Sequence, residues 1–156
     1  EAKSGKSHSV RYTLLHTNRT YEELDYYQDL LDIEAAQRFD FVYIPSVSRP
    51  TQRDWDDPKL GRARANNLLR YLLEMPLKEE QDLQEIAAKG GDVAKAKAVL
   101  EKTVKPALPK HLTREALRDR MDPASSVVIT CGNPWSMEDI KYAAETTGMR
   151  FEKEDW

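Results

Sequence analysis

The sequence has 156 residues, which is the length of a single domain. Its composition, 40% hydrophobic and 33% charged, is sufficient for one core with a well-solvated surface. A net charge of −3 excludes the broad basic surface that general nucleic-acid binding requires, and no apolar run approaches the roughly 20 residues that cross a bilayer. We therefore expect neither nucleic acid nor a membrane as a partner.

The single cysteine, Cys131, cannot form an internal disulfide, so the sequence favours a reducing, cytoplasmic location. The three histidines, His8, His16 and His111, have no mutual spacing that is typical of a metal site, and no metal is expected. The opening residues, EAKSGKSHS, are polar and lack a Met. They indicate a processed or partial chain rather than a natural start.

The first ordered pattern is a strand–helix–strand unit. Residues 10–16, VRYTLLH, are rich in β-branched, aromatic and leucine side chains and predict a strand. Thr20 and Glu23 form a capping box that predicts the start of a helix, in which apolar residues then recur every three or four positions. Residues 40–47, DFVYIPSV, predict a second strand. The two strands should be parallel, with a right-handed crossover between them.

The middle of the chain predicts a loop, a helix and then a helical insertion. Residues 48–60 contain two prolines and no apolar period, which is typical of a loop. Gly61 and Arg62 should open a helix that runs to about residue 74, with its leucines on the buried side. From about 76 to 124 the composition changes, and three short helical patterns predict an insertion over the periphery of the sheet. These patterns cover residues 77–88, 92–103 and 113–121.

The α/β pattern then resumes. Residues 126–131, SVVITC, form a continuous apolar run of the kind that predicts a parallel strand buried on both faces. Ser136 and Asp139 are expected to cap the following helix, which Gly148 should close. The tail, residues 149–156, ends on Trp156, an unusual position for a large aromatic side chain.

Three arginines come after predicted strands or at the start of a helix. Arg19 follows the first strand, Arg49 follows the second, and Arg62 comes after the long loop. Because the carboxyl ends of parallel strands meet at one edge of a sheet, these guanidinium groups could converge there on a phosphate, with Ser48 as a further donor. The alternative is that each arginine is a solvated loop residue, and spacing alone does not decide between the two.

Cys131 and Gly132 stand where the last predicted strand gives way to a helix. The glycine would allow a ligand to approach the backbone, and the helix amino terminus supplies partial positive charge. The alternative is a small buried residue before a tight turn.

Five short motifs, in this order and spread over nearly the whole chain, resemble the C-terminal half of the ferredoxin–NADP reductase superfamily. They are HTNR (16–19) followed by EELDY (22–26), VSR (47–49), Gly61-Arg62, CGNP (131–134) with Asp139 on the next helix, and the terminal aromatic Trp156.

The resemblance implies an α/β, Rossmann-like parallel sheet with flanking helices, forming a single NADP(H)-binding domain over residues 1–156. It implies that the 2′-phosphate of NADP(H) is bound by Arg19, Ser48, Arg49 and Arg62, and that Gly132 and Asn133 also bind the cofactor. Catalytic roles would fall to Cys131 beside the nicotinamide, to Glu154 at the hydride-transfer site, and to Trp156 stacked over the flavin. The implied partners are NADP(H), ferredoxin or flavodoxin, and the FAD-binding lobe of the same protein.

Several features depart from the family. Pro50 stands where many relatives have Glu, and Met137 falls one place late. The helical insertion is longer than usual. The flavin-binding RxYS motif and the Gly-Thr-Gly turn of the lobe's first strand are absent, so the resemblance implies that the FAD lobe and the first strand and helix are missing and that the isolated lobe is inactive.

Two other functions remain open at this point. One is the reductase component of an oxygenase system, which would use the same lobe with another electron partner. The other is a non-catalytic α/β domain whose helical insertion binds a protein.

Overall fold

In a computed structural model, residues 9–154 are described and contain two small parallel sheets. The first sheet has the order β1 (Tyr12–Asn18), β2 (Phe41–Val47) and β3 (Gly61–Arg62). The second pairs β4 (Val127–Thr130) with β5 (Arg150–Lys153). The predicted strands near 10–16, 40–47 and 126–131 are therefore confirmed, and all strand pairing is parallel.

Seven α-helices surround these sheets, and the described part of the chain is thus an α/β protein with flanking helices. Their bounds are α1 (Tyr27–Ala36), α2 (Gln52–Asp56), α3 (Ala65–Leu72), α4 (Lys78–Ala88), α5 (Ala94–Lys102), α6 (Arg114–Asp119) and α7 (Pro134–Thr146).

The alternation of side chains along β1 and β2 assigns the helices to opposite faces of the first sheet. Leu15 of β1 and Ile44 of β2 pack against Leu68 and Leu72 of α3. Tyr43, one residue before Ile44, points to the other face, where its ring lies 6.2 Å from that of Tyr27 in α1. Since successive side chains of a strand point to opposite faces, α1 and α3 cover opposite sides of the sheet.

Helix α3 also joins the two sheets. It packs along α7, and a single apolar cluster contains Leu69 of α3 and Ile140 of α7 together with Leu15 of β1 and Val128 of β4. Both sheets therefore lie on one layer formed by α3 and α7.

A buried ion pair connects α3 to α7. The guanidinium of Arg70 donates to both carboxylate oxygens of Asp139, at 2.6 and 2.9 Å, and the two side chains are only 1% and 4% exposed. Asn66 donates a further hydrogen bond to the same carboxylate at 2.7 Å. The remaining guanidinium nitrogen of Arg70 donates to the Pro76 carbonyl and to Gln81, which ties α4 to the same centre.

The segment predicted as a helical insertion contains α4, α5 and α6, as expected. It forms one antiparallel backbone bridge with a sheet among the described residues: the backbone of Ala107 exchanges two hydrogen bonds of 2.9 Å with Arg62 at the outer edge of β3. The insertion thus closes that edge of the first sheet.

Three helix starts differ from the sequence-based prediction. Thr20 and Glu23 bracket only a short 3-10 turn, Tyr21–Glu23, and α1 begins six residues later than Tyr21 because Tyr26 adopts a left-handed conformation with φ of 61°. Gly61–Arg62, expected to open a helix, forms β3 instead, because the edge of β2 is available for pairing.

The third correction concerns α7. The prediction that Ser136 and Asp139 cap this helix is wrong: Asn133 is the N-cap, and its side chain accepts a hydrogen bond of 2.8 Å from the Ser136 amide. Asp139 is instead drawn into the ion pair with Arg70.

The prediction that β4 is buried on both faces is also wrong. Ile129 is 69% exposed and Val127 is also exposed, whereas Val128, on the other face, packs against α7. The reason is that α7 covers only one face of β4 and that β5 is its sole strand neighbour among the described residues. The tail, for which no strand was predicted, supplies this neighbour as β5.

Within residues 9–154, no helix combines the length and apolar character that crossing a membrane requires.

The ion pair generates the first testable prediction. Asp139→Ala leaves the guanidinium of Arg70 buried without its countercharge, and we expect it to lower the free energy of unfolding by about 3–5 kcal/mol. Urea denaturation monitored by circular dichroism measures this loss. Glu138→Ala, one residue earlier on the exposed side of the helix, is the matched control and should change stability by less than about 0.5 kcal/mol. A loss below about 1 kcal/mol for Asp139→Ala would show that the pair does not hold the helices together.

A second prediction concerns His16 in β1, whose Nδ1 lies 2.7 Å from the Tyr43 hydroxyl. Burial lowers the pKa of His16 below its ordinary value, an effect that nearby Asp25 partly opposes. The unfolded chain therefore takes up this proton before the folded one, so stability that is present above about pH 6.5 is lost as the pH falls towards the folded pKa.

We expect the free energy of unfolding to fall less between about pH 7.5 and 5.5 in His16→Gln than in the unaltered chain. Urea titrations at several pH values provide the comparison. His111→Gln, which removes an exposed histidine, should leave the steeper dependence in place. Identical pH dependence in all three proteins would contradict the assignment to His16.

Candidate functional site

The carboxyl ends of the first three strands bring the predicted arginines to one edge. The amide of Ser48 donates to the Asn18 carbonyl at 3.0 Å, and the amide of Arg49 donates to the Arg19 carbonyl at 2.8 Å, so the loops after β1 and β2 run side by side. Arg62 is paired in register with Val47, the last residue of β2. We call the surface formed by residues 18–19, 47–49 and 62–64 the arginine edge.

The arginines of this edge differ in whether a carboxylate lies close enough to neutralise their charge. Arg19 lies 3.6 Å from the Glu23 carboxylate in an exposed ion pair. Arg49 and Arg64 are exposed, and neither these two nor Arg62 has a carboxylate partner among residues 9–154. The edge therefore retains uncompensated positive charge, although the chain as a whole is negative.

Arg62 is the most constrained of these side chains. Its guanidinium carbon lies 4.0 Å from the ring centroid of Trp55, and its Nη1 is 3.5 Å from the Trp55 carbonyl oxygen. Its Nε is buried without a hydrogen-bond partner. This stacking fixes the plane of the guanidinium while leaving part of its donor capacity unused.

A short helix holds Trp55 in position. In α2 the side chains of Thr51 and Asp54 form a capping box, and the buried Asp54 accepts a hydrogen bond of 2.8 Å from the Thr51 amide. The prediction of a loop over residues 48–60 is therefore wrong for α2, and the pattern of the sequence indicated no role for Trp55 or Arg53. The guanidinium of Arg53 lies 4.1 Å from the ring centroid of Tyr21, and hydrogen bonding to that tyrosine raises the pKa of Arg53.

The residues after β4 form the second half of the site. Cys131, Gly132 and Asn133 are all exposed, so the alternative of a small buried cysteine is wrong for Cys131. Gly132 has a φ of +145°, and a Cβ placed there would meet no atom within 4 Å. A turn at this φ strains any side-chain-bearing residue, which accounts for glycine between Cys131 and the N-cap Asn133.

One contact crosses between the two halves. The guanidinium of Arg64, the N-cap residue of α3, lies 5.7 Å from the ring centroid of Trp135 in the first turn of α7. Just before it, Ala63 has a φ of 143°, an unusual value for a residue with a side chain, and its carbonyl accepts a hydrogen bond of 2.9 Å from the buried Ser46 hydroxyl. The backbone therefore turns at Ala63, between Arg62 and Arg64 of the arginine edge.

Two of the three predicted catalytic residues, Cys131 and Glu154, lie within the described part of the chain. The amide of Glu154 donates to the Thr130 carbonyl at 3.1 Å, so Glu154 and Cys131 both lie at the carboxyl ends of the second sheet. Trp156 lies outside the described residues.

Two surface hollows occur near α1 rather than at these strand ends. One, of about 320 Å³, lies among Tyr21, Leu24 and Tyr27, and the guanidinium of Arg53 from α2 lies over the Tyr21 ring beside it. The other, of about 490 Å³, lies between α1 and Lys59, Lys110 and His111. Burial raises the pKa of the Tyr27 hydroxyl, at the first hollow, to about 12, so this group stays neutral at ordinary pH.

The described residues contain no group of three or more His, Cys, Asp or Glu side chains arranged to hold a metal ion. The strand ends offer instead guanidinium groups and a hydroxyl, which are donors suited to an anion.

No protein-family model matches the chain, and neither the curated proteins nor the solved structures contain a significant match.

Proposed function

We propose that this chain is the NADP(H)-binding part of a flavoprotein reductase of the ferredoxin–NADP reductase type, with a Rossmann-like domain. The observation that carries the proposal is the convergence of Arg19, Arg49 and Arg62 at adjacent strand ends, where two of the three lack a carboxylate partner among the described residues. Open α/β sheets bind ligands outside the carboxyl ends of their strands, and arginine is suited to phosphate.

The residues of the arginine edge fit the 2′-phosphate that distinguishes NADP(H) from NAD(H). Arg49 provides an exposed guanidinium, and Arg62 provides one held in a fixed plane by Trp55. The hydroxyl of Ser48 has no hydrogen-bond partner among the described residues and is free to donate. Several charge-assisted hydrogen bonds would converge on the 2′-phosphate dianion. The site would therefore select NADP(H) over NAD(H) by charge rather than by shape.

The residues after β4 are assigned to the nicotinamide end of the same ligand. Gly132 leaves open space beside the backbone, and Asn133, whose side chain accepts a hydrogen bond from the Ser136 amide, fixes the start of α7. Cys131 and Glu154 stand at the ends of the paired strands β4 and β5, where a bound ring would meet a thiol and a carboxylate.

In such a reductase the bound cofactors supply the redox chemistry, a hydride passing between nicotinamide and FAD. The chain's own part is to bind and orient. The arginine edge anchors one end of the dinucleotide, and Cys131 and Gly132 position the other. FAD would be held mainly by a separate lobe, and ferredoxin or flavodoxin would exchange electrons with the assembled, cytoplasmic protein. The role of Trp156 as a ring stacked on the flavin stays a prediction.

The proposal predicts that Arg49→Ala weakens NADP+ and 2′-phospho-AMP far more than NAD+. A charge-assisted contact to the 2′-phosphate contributes roughly 1.5–3 kcal/mol, which corresponds to about ten- to hundredfold in affinity. Isothermal titration calorimetry with the three ligands measures the difference. The loss for NAD+ should stay below about threefold, because NAD+ offers this arginine no phosphate at the 2′ position.

Arg38→Ala is the matched control, since Arg38 is also exposed but precedes β2 and so lies at the opposite end of the strands. Its affinities should equal those of the unaltered chain. An equal loss for all three ligands in Arg49→Ala would show that Arg49 is not the discriminating residue. Absence of nucleotide binding in the unaltered chain would overturn the proposal in favour of a non-catalytic interaction domain.

A further inference from the structure

The larger of the two surface hollows, of about 490 Å³, lies between α1 and the segments that carry Lys59 and Lys110. This volume is within the range of about 300–1,000 Å³ that small-molecule sites occupy. Lys59 comes before β3, whereas the arginine edge is formed where the strands end. The nucleotide proposed above therefore does not account for this hollow.

One wall of the hollow is built from two backbone segments that run side by side in opposite directions. Beyond the bridge between Ala107 and Arg62, the amide of Lys110 donates to the Pro58 carbonyl at 2.8 Å. Gly61 allows the segments to approach closely, because a Cβ at this position would lie only 2.8 Å from the Ala107 carbonyl oxygen. The position of this wall is therefore fixed by its backbone.

Helix α1 forms the facing wall. One carboxylate oxygen of Glu34 accepts a hydrogen bond of 2.6 Å from the Tyr43 amide of β2, and the other lies 3.6 Å from Nε2 of His111. The first contact anchors the helix to the sheet, and the second joins it to the segment that carries Lys110. Both walls are therefore held in place before any ligand binds, as is usual in small-molecule sites.

The two walls carry opposite charges. Lys59 and Lys110 are exposed, and neither ammonium group has an ion pair or a hydrogen bond within residues 9–154. On α1, the exposed Asp32 accepts a hydrogen bond of 2.9 Å from the neutral amide of Gln28, which leaves its negative charge uncompensated. Together with Glu34, two carboxylates of the helix thus border the hollow opposite two ammonium groups.

The surface between these charges is apolar. Leu31 and Ala35 of α1 and Pro58 of the facing segment line it. An uncharged ligand would leave both sets of charges unused, and a ligand with a single charge would meet the wall of like charge as well as the wall of opposite charge. A ligand with one charge of each sign avoids this repulsion, because each charge lies at the wall that attracts it.

We propose that the hollow is a binding site for a small zwitterion whose ammonium and carboxylate groups are separated by a short apolar chain, as in an ω-amino acid. The carboxylate lies against Lys59 and Lys110, the ammonium lies against Asp32 and Glu34, and the chain covers the apolar surface between them. Both ends of the ligand form charge-assisted contacts, which are stronger than hydrogen bonds between neutral groups. The site is separate from the arginine edge and is independent of the proposed function.

Nuclear magnetic resonance titrations of the isotope-labelled chain with three compounds of similar length test the proposal. They are 6-aminohexanoate, which carries both charges, hexanoate, which lacks the ammonium, and hexylamine, which lacks the carboxylate. We expect 6-aminohexanoate to shift the amide signals of Asp32, Lys59 and Lys110 with a dissociation constant of about 1 mM, an affinity that so small a ligand can reach. Hexanoate and hexylamine should bind about tenfold more weakly, because each lacks the contacts of one charged end.

Variants of the two walls should separate the two ends of the ligand. The double variant Lys59→Gln/Lys110→Gln should weaken 6-aminohexanoate by about tenfold without weakening hexylamine, because hexylamine has no carboxylate. Asp32→Asn, which keeps an acceptor for the amide of Gln28, should weaken 6-aminohexanoate by about three- to tenfold without weakening hexanoate, because hexanoate has no ammonium.

Lys102→Gln is the matched control, since Lys102 of α5 is also exposed and unpaired among the described residues but does not border the hollow. Its affinities for all three compounds should equal those of the unaltered chain. All of the substituted residues are exposed, so the melting temperatures should change little, and a loss of affinity then reports lost contacts rather than lost structure. Equal affinities of the three compounds for the unaltered chain, no amide shifts at the hollow with 6-aminohexanoate, or the same loss in Lys102→Gln as in the double variant would overturn the proposal.

Discussion

The ion pair between Arg70 and Asp139 is the interaction on which the arrangement of the two sheets depends. It is bidentate and almost completely excluded from water, and it joins the helix that follows the first sheet to the helix that joins the strands of the second. Within residues 9–154 no strand pairs with both sheets, so the packing of α3 on α7 is the main connection between them. A buried charge is costly unless its partner is held in good geometry, and Asn66 and Gln81 supply the additional hydrogen bonds that hold it.

The same pair governs the candidate site. Arg62 and Arg64 of the arginine edge come immediately before α3, and Cys131 to Asn133 lead directly into α7. Any shift of α3 against α7 would therefore separate the arginine edge from the residues after β4. The contact between Arg64 and Trp135 is the surface counterpart of this internal connection. A dinucleotide spanning both halves would require them to keep a fixed distance, which a buried, directional ion pair provides better than apolar packing alone.

Sequence reasoning predicted the parts of the fold that depend on local pattern. Residues 40–47 are apolar enough to be recognised as a buried strand, and the arginines after the strands followed from the geometry of parallel sheets. The pairing of Arg70 with Asp139 was not predicted, because Arg70 has the pattern of a solvated helix residue and Asp139 that of a helix cap, and only the packing of α3 on α7 buries them. The prediction for Ile129 is wrong in the opposite direction, since it was expected to be buried and is exposed. An apolar run predicts burial, but burial depends on neighbouring elements that the pattern alone does not reveal.

We propose that the carboxyl ends of both sheets form one site for a nucleotide with a 2′-phosphate. Nuclear magnetic resonance spectra of the isotope-labelled chain, titrated with 2′-phospho-AMP and in parallel with AMP, test it most directly. We expect 2′-phospho-AMP to shift the amide signals of Ser48 and Arg49 and the guanidinium signals of Arg49 and Arg62, whereas AMP should shift them far less. Shifts confined to the hollow beside Lys110 and His111, or identical responses to the two ligands, would contradict it.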